Sequence, residues 1–266
     1  VTIILRGGLF VALVAVFLPQ PLAAQEDDVA DVPSQDLRAG KEEQMRYFLI
    51  GPRAELKAPE KGFGLLIVLP GGDGSADFHP FVKRIAKYAL PETYLVAQPV
   101  AVKWSPQQQI TWPTEKVRVP GMKFSTEKFV SAVVKDVAGK HKLDPERIFT
   151  LSWSSGGPAA YACSLSEKKI KGSLIAMSVF KPKDLPALSN ANGRSFYLYH
   201  SPQDRICPFW MAEQAVKVLE KNGAKVKLTT YEGGHGWRGP LYDDLRAGIE
   251  WLENSREESG KQSGGS

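Results

Sequence analysis

The chain is poor in several residue types, and each shortage excludes something. Only 2 cysteines, Cys163 and Cys207, and 4 histidines occur in 266 residues. Two cysteines are too few for a disulfide-stapled scaffold. Neither has a Cys or His neighbour at metal-ligand spacing, so no metal site is expected. Two separate buried thiols are expected, although an exported chain would permit a bridge. Charge of one sign is also scarce: 34 basic residues stand against 29 acidic ones, for a formal net charge of +5. The basic runs are as short as Lys168-Lys169 with Lys171, which argues against a nucleic-acid partner. No internal repeat is visible. What is present is ordinary for a globular protein, with 43% hydrophobic, 10% aromatic and 24% charged residues. That balance excludes a disordered or collagen-like chain. The length suits one large α/β domain whose core needs no metal or disulfide to hold it.

The most concentrated apolar run is residues 9–18, shorter than the roughly 20 residues that span a bilayer. Arg6 is the only charge before Glu26. Pro19 and Pro21 follow the run, and Ala23 and Ala24 precede Gln25. This reads as a signal peptide over residues 1–24, with an uncleaved anchor as the alternative. A secreted or periplasmic location is expected, without stable membrane insertion of the mature chain. Residues 25–44 are polar and acidic and read as a flexible leader. Residues 45–254 read as the folded domain, and 255–266, rich in Ser, Gly and charge, as a disordered tail.

Within the domain, strand and helix patterns alternate. Met45–Ile50, Leu65–Leu69, Tyr94–Ala97, Ile148–Leu151, Leu174–Met177, Phe196–Tyr199 and Val226–Tyr231 read as strands. Leu65–Leu69 is apolar throughout, as in a strand buried on both faces. Phe81, Ile85 and Tyr88 mark one helix. Phe129, Val130, Val133, Val134 and Val137 mark another behind the capping residue Ser125. A small-residue helix follows Ser154. Ala212, Val216 and Leu219 mark a further helix, and Leu241, Leu245, Ile249 and Leu252 the last. Leu143-Asp144-Pro145 reads as a turn, and residues 99–124 as a loop or insertion. The alternation predicts an α/β fold, a mostly parallel central sheet with helices on both faces.

Several strand ends carry residues suited to one chemistry. Ser152-Trp153-Ser154-Ser155-Gly156 lies between a predicted strand and a predicted helix. A nucleophile elbow needs that setting, with small residues two before and two after the nucleophile. Leu69-Pro70-Gly71-Gly72-Asp73-Gly74 ends the first buried strand. Its glycines leave backbone N–H groups unobstructed, and it lacks the Gly-Lys-Ser/Thr ending of a phosphate loop. The Gly72 and Ser155 N–H groups are assigned as oxyanion donors. Asp204 follows the Phe196–Tyr199 strand, at the kind of strand end where α/β sheets place ligands. His235, in Gly233-Gly234-His235-Gly236-Trp237, follows the last strand. The other histidines read as structural: His79 early in a helix, His141 at a helix end and His200 buried at a strand end. The chain order Ser154, Asp204, His235 is that of an α/β-hydrolase and differs from the other serine-hydrolase orders. Trp112, Trp153 and Trp237, with Trp104, are candidates to border an acyl or aromatic pocket.

On these residues the chain resembles the α/β-hydrolase superfamily. More narrowly it is similar to exported phospholipase/carboxylesterase-like and polyhydroxybutyrate-depolymerase-like esterases. The resemblance runs over about residues 60–253. It is carried by LPGGDGS at 69–75, LDPERIFTLSWSSGG at 143–157, HSPQDRICP at 200–208 and GGHGW at 233–237. Ser152 stands where these proteins usually have Gly, and Pro70 where a His often precedes the loop glycines. Residues 180–194 are too few for a lid domain, so an open site is expected. The resemblance implies cleavage of small-molecule or polymeric carboxylic esters through Ser154, His235 and Asp204, with no cofactor. A peptidase or thioesterase with the same residues, or a silent binding protein on the same fold, remains as an alternative.

Overall fold

The computed structural model describes residues 27–53 and 56–263. The signal-peptide expectation for residues 1–24 lies outside them. The chain builds an 8-stranded sheet in the order β1-β2-β4-β3-β5-β6-β7-β8. The strands are β1 (Ser34–Arg38), β2 (Arg46–Ile50), β3 (Phe63–Leu69), β4 (Tyr94–Pro99), β5 (Leu143–Trp153), β6 (Gly172–Ala176), β7 (Ser195–His200) and β8 (Lys225–Thr230). β1 and β2 pair antiparallel, as do β2 and β4. The pairings from β4 through β3, β5, β6 and β7 to β8 are all parallel. Every parallel strand therefore ends on the same edge of the sheet.

Side-chain alternation splits the core into two layers. Leu65, Ile67 and Leu69 of β3 pack with α2 (Thr126–Lys140), α3 (Gly157–Ser166) and α4 (Trp210–Lys221) through residues such as Val130, Ala160 and Leu219. Leu66 and Val68 pack on the opposite face with α1 (His79–Ala89) and α5 (Leu241–Ser263), through residues such as Ile85 and Ile249. Each fully buried Leu, Ile or Val contributes about 1.5–3 kcal/mol. The expected stripe on α2 is buried throughout, and Ser125 Oγ accepts the Lys128 N–H at 3.3 Å, as a capping residue should. Cys163 and Cys207 are both free and buried.

Three local expectations are corrected. Part of the leader is strand: β1 pairs with β2, and Val29, Val32 and Ala39 are buried. Backbone pairing and the Asp36 carboxylate, 2.8 Å from the Arg46 guanidinium, hold β1, whose side chains stay largely exposed. The tail from residue 255 begins inside α5, which runs on to Ser263; Glu, Arg, Lys and Gln favour that continuation. Leu143 opens β5 instead of turning the chain, and pairs with Phe63 ahead of a register shift. The connection from β6 to β7 carries only the short turns Pro182–Asp184 and Leu188–Ala191, so no lid domain stands there. Among the described residues no helix is long and apolar enough to cross a membrane.

The tightest constraint on the fold is at Gly156, just past β5. A Cβ there would collide with the Leu69 carbonyl oxygen and lie 3.1 Å from that of Pro70. Both neighbours are backbone, which cannot swing aside. Gly156→Ala is expected to destabilise the fold by about 3 kcal/mol or more. A urea midpoint equal to that of the wild type would contradict this close approach.

Candidate active site

The elbow is a single tight turn, Ser154–Gly156, between β5 and α3. Ser154 has φ = +49°, a left-handed conformation that a side-chain-bearing residue adopts only under constraint. The constraint comes from both sides. Gly156 is wedged under Leu69, and Ser178 Oγ donates to the Ser154 carbonyl at 2.6 Å. The buried helix α3 anchors the far end through Ala159, Ala160 and Ala162. The Ser154 side chain is thereby held off the sheet edge, where β7 and β8 deliver the other expected residues.

Asp204 lies four residues beyond β7 and is buried. Its Oδ1 accepts the Ile206 and Cys207 N–H groups, each at 2.8 Å. Its Oδ2 lies 2.8 Å from His235 Nδ1 and 3.3 Å from His200 Nε2. Burial works to raise the Asp204 pKa, but the Cys207 N–H, the His235 side chain and the Ile206 N–H outweigh it. The net shift is downward, so the carboxylate stays ionised below the ordinary range. A carboxylate only accepts, so His235 carries its proton on Nδ1. Its Nε2 then presents a lone pair to Ser154 Oγ, 3.1 Å away. His200 Nε2 is 2.8 Å from the Cys207 carbonyl, so it too is a donor; burial lowers its pKa and favours the neutral ring.

The expected residues Ser154, His235 and Asp204 thus meet in one hydrogen-bonded line. The two segments expected to hold oxyanion donors are also adjacent, since Ser155 Oγ donates to the Gly72 carbonyl at 2.8 Å. Asp204, Cys207 and His235 place ligand-type atoms within 4.8 Å of one another. The carboxylate is already committed to the Ile206, Cys207 and His235 donors. Burial, helped by the Asp204 charge, pushes the Cys207 thiol up to about 11, so it stays protonated at neutral pH.

The tryptophans divide. Trp112 is corrected from pocket lining to support: it is 3% exposed, and its indole N–H donates to the Pro70 carbonyl at 2.9 Å. Trp153 is 6% exposed and packs edge-on to Phe78, Phe81 and Trp237, so it forms the base of an aromatic wall. Trp237 alone of the three is part-exposed, beside the His235 loop, and its ring also stacks with Tyr199. Trp104 packs edge-on to Phe124 in the 99–124 loop. Ser152, in the usual glycine position, is fully buried and its hydroxyl has no hydrogen-bond partner. The contacts of Ser178 and His200 had no local sequence signal: Ser178 reaches Ser154 from another strand end, and His200 meets Cys207 only through the way its own loop folds back.

The sequence matches no family model and no curated relative. Its backbone is similar to solved structures. A Bacillus cereus carboxylesterase aligns with TM-score 0.57 at 16% identity, over 79% of this chain and 93% of that one. An esterase of Rhizomucor miehei aligns at 0.62 and 14%, over 91% and 90%. An α/β hydrolase from a Medee basin deep-sea metagenome aligns at 0.59 and 14%, over 85% and 98%. With the sheet order and the elbow described above, these likenesses define the class: the chain has the α/β-hydrolase fold.

The lowered pKa of Asp204 has a consequence for stability. A carboxyl depressed in the folded state adds stability above its unfolded pKa and loses it as pH falls through the folded value. Asp204→Asn is therefore expected to be less stable than wild type at pH 6. The gap should shrink below about pH 4, where ordinary carboxyls take up protons. Urea unfolding of both proteins at pH 6 and pH 3 checks this, and a gap that widens in acid contradicts it.

Proposed function

We propose that the protein is an exported serine hydrolase that cleaves carboxylic esters. The observation that carries the reading is the line from Ser154 Oγ to His235 Nε2 at 3.1 Å and from His235 Nδ1 to Asp204 Oδ2 at 2.8 Å. In that order the imidazole takes the proton from Ser154 as Oγ attacks the ester carbonyl carbon. Asp204 keeps the tautomer correct and stabilises the imidazolium that forms. The carbonyl oxygen becomes an oxyanion, received by the Gly72 and Ser155 N–H groups, each donor worth about 3 kcal/mol. The intermediate collapses, the alcohol leaves with the proton from His235, and the acyl group stays on Ser154. Water then gives its proton to His235 and attacks the acyl carbon. Ser154 recovers its proton as the carboxylic acid departs.

Carboxylesterases, and a carbohydrate esterase from gut microbiota, among the structural neighbours favour an ester as the substrate. The short connection between β6 and β7 leaves room for a bulky or polymeric ester as well as a small one. Export rests on the residue pattern of positions 1–24 alone.

Ser154→Ala is expected to lower kcat for p-nitrophenyl acetate by at least about 10⁴-fold. A fluorophosphonate should label wild type and not the variant. Full hydrolysis by the variant rejects Ser154 as nucleophile. A wild type that takes no label favours the silent binding protein instead.

A further inference from the structure

The 99–124 stretch contributes nothing to the Ser154–His235–Asp204 line, yet it is seated on the glycine-rich loop after β3. Its donors meet every second carbonyl of that loop. Trp112 Nε1–H donates to the Pro70 carbonyl at 2.9 Å, and Thr111 Oγ1–H donates to that of Gly72 at 2.7 Å. The Ala101 N–H donates to the Gly74 carbonyl at 2.9 Å. From the other side, Ser155 Oγ–H donates to the same Gly72 carbonyl at 2.8 Å. The packing is as close as the bonding: a Cβ on Gly74 would lie 2.7 Å from Ala101 Cβ and 2.8 Å from Trp112 Cζ2.

The loop needs such restraint. Gly72 and Gly74 have φ of +60° and +63°, and Gly71 between Pro70 and Gly72 also lacks a side chain. Peptide planes in such a run rotate at little steric cost. A plane rotated the wrong way would turn a carbonyl oxygen, in place of an N–H, toward the space above Ser154. There it would repel the oxyanion it should stabilise. Donors on the Pro70, Gly72 and Gly74 carbonyls hold alternate planes in one sense, and the plane between the first two, which carries the Gly72 N–H, is held by the Gly74 N–H on the Gly71 carbonyl at 3.1 Å.

We propose that Thr111 is a positioning residue for the ester cleavage proposed above, on which this inference rests. Its hydroxyl, with that of Ser155, fixes the Gly72–Asp73 plane through the Gly72 carbonyl; with the neighbouring Gly71–Gly72 plane held by the Gly74 N–H, both planes that meet at the Gly72 Cα are set and the Gly72 N–H stays aimed at the oxyanion. Thr111 touches no reacting atom; it acts through Gly72. Ser155 has two parts. Its N–H is one oxyanion donor, and its hydroxyl ties it to the residue that carries the other. The spacing between the two donors is thereby set by a hydrogen bond between the residues that supply them. Trp112 performs the same service at Pro70.

The oxyanion develops only in the transition state, so a loosened clamp lowers kcat and leaves KM alone. Thr111→Val removes the hydroxyl and keeps the shape; Thr111→Ser keeps the hydroxyl. The readouts are p-nitrophenyl acetate kinetics and inhibition by phenylboronic acid, whose tetrahedral adduct on Ser154 places an oxygen at the oxyanion position. Thr111→Val is expected to lower kcat about tenfold and weaken phenylboronic acid about as much, the worth of one neutral hydrogen bond. KM should stay within about twofold. Thr111→Ser should restore both kcat and inhibition. The double variant Thr111→Val/Ser155→Ala leaves the Gly72 carbonyl with neither hydroxyl and should lose more than the product of the single losses. If Thr111→Val does not fold, Ser155→Ala is read by the same two measurements. Unchanged kcat and inhibitor affinity, or an equal loss in Thr111→Ser, overturns the clamp. A wild type that neither hydrolyses the ester nor takes fluorophosphonate overturns the function itself, whereas an active, labelled wild type with an unaffected valine variant overturns only the clamp.

Discussion

The chain leaving β3 and the chain leaving β5 touch at the Leu69 carbonyl and Gly156. Parallel pairing puts Leu69 opposite Ser152, so the loop after one strand and the turn after the other rise from the same edge, side by side. Only a residue without a Cβ fits at 156. Once that contact closes, Ser154 is forced into its left-handed conformation, and α3 starts where its small residues pack against the sheet. The glycine-rich loop must then pass beside Ser155, which reaches it with its hydroxyl. One backbone contact thus sets the elbow, the helix behind it and the loop in front.

The remaining chemistry arrives by the same rule of parallel strands. β7 and β8 run beside each other, with His200 opposite Thr230. The loops beyond them bring Asp204 and His235 to the edge that already carries Ser154. Asp204 is fixed by its own loop, since Ile206 and Cys207 return their N–H groups to its carboxylate. His200 closes that loop from beneath by binding the Cys207 carbonyl. Preorganised donors of this kind cost nothing to reorient when charge appears, which is the condition electrostatic catalysis needs. The aromatic wall of Phe78, Phe81, Trp153 and Trp237 backs the same edge, so rigidity is supplied by packing where hydrogen bonds are few.

Much of this was legible in the residues. The all-apolar β3 segment, the α2 stripe behind Ser125 and the Ser–Asp–His order each have a local period or a fixed spacing. The parts that were not legible lacked both. β1 is an edge strand whose side chains face water, so its sequence Ser-Gln-Asp-Leu-Arg carries no apolar alternation. The end of α5 reads as a loose charged tail because residues 256–263 are charged, polar or glycine, with no apolar period in the sequence to mark a helix. Trp112 looked like pocket lining because an indole in an irregular segment gives no hint of its partner; that partner, the Pro70 carbonyl, is 42 residues away.

By itself the sequence determined the types of the central elements, the two-faced burial of the central strands and the identity of the residues that meet at the sheet edge. Periodicity and spacing are local, and they survive in a string of letters. The tertiary structure alone decided which groups restrain those residues: Ser178 on the Ser154 carbonyl, His200 on the Asp204 loop, Thr111 and Trp112 on the glycine-rich loop. Apart from the His200–Cys207 bond, which spans seven residues, each of these is a bond between segments far apart in the chain. Its partner is chosen by which strand ends the sheet order brings together, and no local pattern encodes that choice.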